Sequence, residues 1–136
     1  MDIKNVQKRY FEEKGREKDA ARFEKIIEAV AEAIKPWWDL PATPENMWDA
    51  KWAALNAYTK VSLEGTSTVQ AVLMGAVMGI GNALKGRFKD DNLALQTTEH
   101  YFLSQNSITD PEAVALVKSG QATIGRLFEL QPSIYC

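Results

Sequence analysis

The residues best suited to catalysis in this sequence are few and widely separated. His100 is the single histidine, and a catalytic imidazole needs a nucleophile or an orienting partner within hydrogen-bond reach. Cys136 is the single cysteine and the last residue, whereas a reactive thiol needs a fixed electropositive setting. Neither residue has such neighbours in the sequence. We therefore predict no catalytic residues and a protein that is not an enzyme.

A metal site is also disfavoured. Glu24, Glu28 and Glu32 repeat every four residues, but they lie opposite the apolar stripe of their predicted helix and should face water. Helical di-iron sites add a Glu-x-x-His pair, and the residue three positions before His100 is Thr97. One histidine and one cysteine cannot supply a zinc site. The sequence predicts no metal ion and no cofactor.

The apolar segment around residues 69–84 contains three glycines, a residue type that also forms phosphate-binding loops. Their spacing does not fit such a loop. Gly75, Gly79 and Gly81 read G-x-x-x-G-x-G, without G-x-G-x-x-G or the G-K-[ST] ending that holds a phosphate. Gly75 and Gly79 instead form a small-x-x-x-small face that lets another backbone approach closely. The approaching helix belongs either to the same chain or to a second copy in a homodimer.

Four tryptophans are the strongest candidates for a binding surface. Trp37, Trp38, Trp48 and Trp52 lie within sixteen residues, around a loop rich in proline. Trp48 and Trp52 are spaced four apart, which fits one core-facing side of a helix. Tryptophan is also enriched at binding hot spots and in clefts that hold flat ligands. Both interpretations, core packing and binding, follow from the sequence.

A short basic turn is a further candidate contact for a phosphate or an acidic protein surface. It contains Lys85, Arg87 and Lys89 and is followed by two aspartates. Basic residues near a helix C-terminus are also expected from the helix dipole alone.

Composition restricts the class of protein. The chain has 136 residues and a formal net charge of −2, so no basic excess points to nucleic acid. Its longest apolar segment has about sixteen residues, short of the roughly twenty that span a bilayer. No signal peptide is visible, because the first residues are charged, and the single cysteine suits a reducing compartment. We expect a cytoplasmic protein with no membrane and no nucleic-acid partner.

Helical periodicity dominates the chain, and no sustained alternation typical of strands is present. The pattern predicts an all-α compact bundle of five to six helices in one domain over 1–136. The predicted helices cover about 2–14, 23–35, 44–63, 67–86, 90–105 and 110–131. The charged helix over 2–14 can lie at the periphery, and 132–136 forms a short tail. The helix over 67–86 is apolar all round, which predicts burial at the centre of the bundle.

One segment resembles a known group of proteins. WAALNAYTKV, with Trp52, Asn56, Ala57 and Thr59, is similar to the W-x-x-x-N-A-x-T run near the C-terminal end of phage- and plasmid-borne proteins of unknown function. The resemblance covers about ten residues and implies a mobile-element origin. It brings no catalytic residues, and the chain continues with SLEGTST where those proteins carry an acidic-aromatic, histidine-containing stretch.

These observations favour a small non-enzymatic interaction or assembly protein that binds a partner protein or a second copy of itself. The alternative is a helical small-molecule binding protein in which the tryptophans line a cleft.

Overall fold

A computed structural model describes residues 3–14, 20–64 and 67–136. These ranges form seven α-helices, which confirms the all-α class, and their only bridge pairing joins Pro41 and Thr123. The helices are α1 Ile3–Lys14, α2 Ala20–Ile34, α3 Pro44–Ser62, α4 Thr68–Leu95, α5 Glu99–Gln105, α6 Pro111–Ser119 and α7 Ile124–Leu130. Short 3-10 turns, Lys35–Trp37 and Pro132–Ile134, follow α2 and α7.

Local side-chain chemistry sets the helix starts. Thr43 caps α3 by accepting a hydrogen bond from the Asn46 backbone N–H, with Pro44 as the first helical residue. Ser67 caps α4 in the same way. The sequence predicts Thr43 as the first of these caps and either Thr66 or Ser67 as the second. It also predicts a capping box of Thr109 and Glu112 at the start of α6, which is wrong, because the Asp110 side chain accepts from the Ala113 backbone N–H instead.

Three predicted helix boundaries are also wrong. The predicted end at Gly86 and the predicted start at residue 90 do not occur, because α4 continues to Leu95 and the next helix begins at Glu99. A helical glycine costs only about 1 kcal/mol, which contacts further along the helix can offset. The last predicted helix is in fact two. Gly120 ends α6 with a left-handed backbone (φ 75°), and Thr123 caps α7.

The buried core forms around α2, whose predicted apolar stripe is confirmed. Its main apolar members are Phe23, Ile26, Ile27, Val30, Ile34, Met47, Ala50, Ala54, Phe102, Ala113, Ile124, Leu127, Phe128 and Leu130. None of them comes from α4, in which no residue is buried. The prediction of a buried central helix over 67–86 is therefore wrong. The other helices fill the core among themselves, so α4 is left on the outside, packed on α3.

Both ends of the described chain belong to the core. Val6 and Tyr10 of α1 are 1% and 2% exposed, so this helix is not peripheral. The guanidinium of Arg9 donates to the Leu130 carbonyl of α7 at 3.2 Å. The predicted short tail is also packed, since Ile134 and Tyr135 are buried.

The proline-rich loop after α2 is fixed to the start of α7. Backbone N–H groups of Ala42, Ile124 and Gly125 take part in hydrogen bonds between residues 38–42 and 122–125. The indole of Trp38 lies edge-on to Phe128, with ring centroids 5.8 Å apart. A Cβ atom on Gly125 would overlap the indole of Trp38. Trp38 is therefore a packing residue, and Gly125 permits its close approach.

Gly125→Ala is expected to lower the free energy of unfolding by about 1–3 kcal/mol, the usual cost of an added methyl group in a filled core. Urea denaturation measures this. Gly86→Ala is the matched control, since nothing lies within 4 Å of its Cβ position, and it should raise stability by up to about 1 kcal/mol. Equal stability of Gly125→Ala and the parent chain would contradict the close Trp38 contact.

Candidate functional site

Helix α4 is attached to α3 by a small polar contact. The indole N–H of Trp52 donates to Asn82 Oδ1 at 2.7 Å, and the Asn82 amide donates to the Met78 carbonyl at 2.9 Å. Asn56 lies 3.5 Å from the same amide, and the Thr59 hydroxyl lies 3.9 Å from Met78 Sδ. Asn82 was not predicted as functional. A lone asparagine in an apolar helix was the available signal.

The run that carries the phage-protein resemblance therefore has a structural role here. Trp52, Asn56 and Thr59 lie on the side of α3 that contacts α4. Their spacing of four and three residues places them on one helix face.

A salt bridge joins the C-terminal part of α4 to the first turns of α3. Lys89 Nζ lies 3.1 Å from Asp49 and 3.3 Å from Glu45. The hydrogen bond with Asp49 raises the pKa of Lys89 above its ordinary 10.5. As the pH rises, Lys89 therefore keeps its positive charge past pH 10.5 and loses it only at higher pH. Of the predicted basic turn, Lys89 is engaged within the chain, while Lys85 and Arg87 are exposed.

The remainder of α4 presents apolar side chains to solvent. Val69 is 70% exposed, Val72 65%, Leu73 61% and Ile80 63%. Val77, Leu84, Met74 and Phe88 are each at least 41% exposed. No charged residue occurs between Thr68 and Leu84. Soluble monomers seldom expose an apolar patch larger than roughly 300–600 Å², and larger patches are typical of interaction sites.

The apolar residues that point away from α3 form a regular pattern. Met78, Asn82 and Lys89 mark the side that contacts α3. At about 100° per residue, the opposite side carries the residues that we name the outer face: Val69, Val72, Leu73, Ala76, Ile80 and Ala83. Within it, positions 69, 73, 76, 80 and 83 alternate steps of four and three, the spacing of a coiled-coil seam.

By the same step of about 100° per residue, Gly79 borders the outer face beside Val72, whereas Gly75 lies nearer the side marked by Asn82. Nothing in the described part of the chain lies within 4 Å of a Cβ atom built on either glycine. The interpretation of this pair as a close contact within the chain is therefore wrong for that part. Contact with a second molecule remains a prediction.

A cleft of about 680 Å³ opens between α3, the C-terminal half of α4 and the C-terminal residues. It is lined by Trp48, Lys51, Trp52, Leu55, Tyr58, Phe88, Asp91, Asn92, Leu95, Gln96, Gln105, Asn106, Ile134, Tyr135 and Cys136. The rings of Trp48 and Trp52 are stacked 5.4 Å apart with an interplanar angle of 19°. Both tryptophans are only partly buried. This pair forms one wall of the cleft.

One wall of the cleft is polar. Lys51 Nζ donates to Asn106 Oδ1 at 3.1 Å, and the Asn106 amide donates to Gln96 Oε1 at 3.0 Å. Burial lowers the pKa of Lys51. Sequence reasoning missed these three residues, because the first contact joins positions 55 apart.

The C-terminal residues close the cleft on another side. The Tyr135 hydroxyl donates to the Ile124 carbonyl at 3.2 Å and lies 3.3 Å from Met47 Sδ. Burial raises the pKa of Tyr135. Cys136 is partly buried and lines the cleft.

The other predicted candidates lie elsewhere. Trp37 and Trp38 are partly buried against the core and do not line the cleft. His100 is exposed beside Tyr101. Within the described ranges, no cluster of three metal-ligating side chains occurs. Of the helices in those ranges, none is both long and apolar enough to cross a membrane.

Comparison with protein families, with curated proteins and with solved structures gives no match. The candidate sites therefore depend on geometry alone. They are the outer face of α4 and the cleft beside it.

Asn82→Leu is expected to loosen α4 from α3, because it leaves the Trp52 indole N–H without its acceptor, at a cost of about 1–3 kcal/mol. Amide hydrogen exchange in α4 should accelerate, while exchange in α2 and α7 stays slow. Gln70→Leu is the matched control, since Gln70 is an exposed polar residue of α4, and should change nothing. Unchanged exchange in the Asn82→Leu variant would contradict this attachment.

Proposed function

We propose that this chain is a small non-enzymatic interaction or assembly protein that binds another protein along α4. The observation that carries the proposal is the exposure of the outer face, where Val69, Leu73 and Ile80 are each more than 60% exposed. Removal of such apolar surface from water stabilises a complex by about 25 cal/mol per Å².

The rest of the fold supports an external partner. The core is complete without α4, because α2 packs on α1 and α3, and α7 packs on the same two helices. Folding of the single chain therefore gives no reason for an apolar outer face. A binding role explains the apolar outer face, because the fully buried parts of protein interfaces are apolar and poor in charge.

The same proposal places the chain in the cytoplasm and assigns it a phage or mobile-element origin. The single cysteine supports a reducing compartment. The similarity of the segment from Trp52 to Thr59 to phage- and plasmid-borne proteins supports the origin.

A photo-cross-linking amino acid at Ile80 tests the proposal in cells. It should form adducts with protein, either a second copy or a different chain, because Ile80 lies in the outer face. Ala115 is the matched control position, exposed on α6, and should give far fewer adducts. Ala76→Glu should remove the adducts at position 80, since a charge is costly to bury. Adducts with lipid alone, or equal yields at both positions, would overturn the proposal.

A second candidate function is favoured by the cleft, whose volume falls within the usual range for small-molecule sites. Trp48, Trp52 and Phe88 offer flat apolar walls, and Lys51 offers a cation beside them. A flat aromatic ligand with an anionic group fits this combination.

The fluorescent probe anilinonaphthalene sulfonate, a flat aromatic anion, should bind the cleft and quench tryptophan emission. Trp48→Leu should weaken binding several-fold by removing a wall, and Lys51→Met should weaken it by removing the cation. Because the probe can also adsorb to the outer face, the titration is done in the Ala76→Glu background. Equal affinity in the Trp48→Leu and parent chains would rule out the cleft as a ligand site.

A further inference from the structure

We infer that the occupant of the outer face is a second copy of this chain, with two α4 helices packed antiparallel and crossing at Ala76. This inference rests on the proposed function and names its partner. It follows from three features of α4: the exposed area, the placement of small residues and the distribution of charge.

The exposed area matches what a stable dimer needs. Seven large apolar side chains of α4 that do not line the cleft are between 41% and 70% exposed. Each exposes on the order of 100 Å², so together they approach the roughly 800 Å² that each partner buries in a standard interface. Coverage by a helix of equal length would bury most of this surface at once.

The outer face is complementary to itself when the second helix runs the opposite way. Ala76 lies at the middle of the seam formed by positions 69, 73, 76, 80 and 83. An antiparallel partner therefore sets Val69 against Ala83 and Leu73 against Ile80, with large residues opposite small ones at the ends. Such a twofold pair uses the same patch on both copies. Gly79, which borders the outer face, leaves room for close approach.

Charge selects the antiparallel arrangement. The next seam position after Ala83 is Arg87, and Lys85 lies close by. In a parallel pair the two Arg87 side chains would face each other. In the antiparallel pair they lie about 33 Å apart along the helix axis, at 1.5 Å per residue, so the repulsion is absent.

Sedimentation of the purified chain tests the dimer. At micromolar concentration the species should have about twice the 15.2 kDa chain mass. Ala76→Glu brings two like charges together at the crossing and should raise the dimer dissociation constant at least about tenfold, the equivalent of 1.4 kcal/mol. Ala115→Glu, on exposed α6, should leave it unchanged, and the helicity of both variants should match the parent chain.

Cysteine cross-linking tests the direction of packing, in the Cys136→Ser background. Ala76→Cys should give a covalent dimer on mild oxidation. Val69→Cys alone should give none, whereas a mixture of Val69→Cys and Ala83→Cys chains should cross-link. Cross-linking of Val69→Cys with itself would overturn the antiparallel arrangement.

The outcomes separate this inference from the proposed function. A monomer at all concentrations, or a dimer that Ala76→Glu leaves intact, overturns the inference. If Ile80 then cross-links to a different protein, the interaction role stands and only the identity of the partner is wrong. Co-sedimentation of a monomeric chain with phospholipid vesicles, without protein adducts, overturns both.

Discussion

The structure depends on the burial of one helix stripe. Ile27, Val30 and Ile34 of α2 are completely buried, and the helices around them are held in place by covering this stripe. Burial of each such side chain adds about 1.5–3 kcal/mol to the free energy of unfolding. The proline-rich loop fixes the entry to α3, and α3 in turn provides the surface on which α4 rests. The cleft and the outer face are therefore positioned by a core to which α4 contributes no buried residue.

This arrangement explains why α4, which carries no charge between Val69 and Leu84, has no buried residue. The contact between α3 and α4 is made by polar groups, above all the hydrogen bond from Trp52 to Asn82 and the ion pairs of Lys89. Such groups fix position and register, because each hydrogen bond has a narrow geometry. The aliphatic side chains of the outer face remain exposed to solvent. A helix attached in this way keeps its apolar residues exposed to solvent.

The sequence predicted those features that depend on neighbouring residues. The cap at Thr43 and the stripe of α2 were predicted correctly, because both arise within a few residues along the chain. The burial of residues 67–86 was predicted wrongly, since an apolar pattern indicates that a face needs cover but not which molecule provides it. Trp48 and Trp52 could be selected as binding candidates from residue type. Their cleft could not be predicted, because the pairing of Lys51 with Asn106 joins distant parts of the chain.

The separation of α4 from the core has a consequence for how the sequence can change over time. Substitutions at Ala76 or Ile80 leave the core intact, so selection for a folded monomer hardly acts on them. Substitutions at these two positions are restricted only by the molecule that the outer face contacts. The outer face can therefore change by mutation without loss of the fold, whereas Gly125 cannot take a side chain while the Trp38 indole keeps its position.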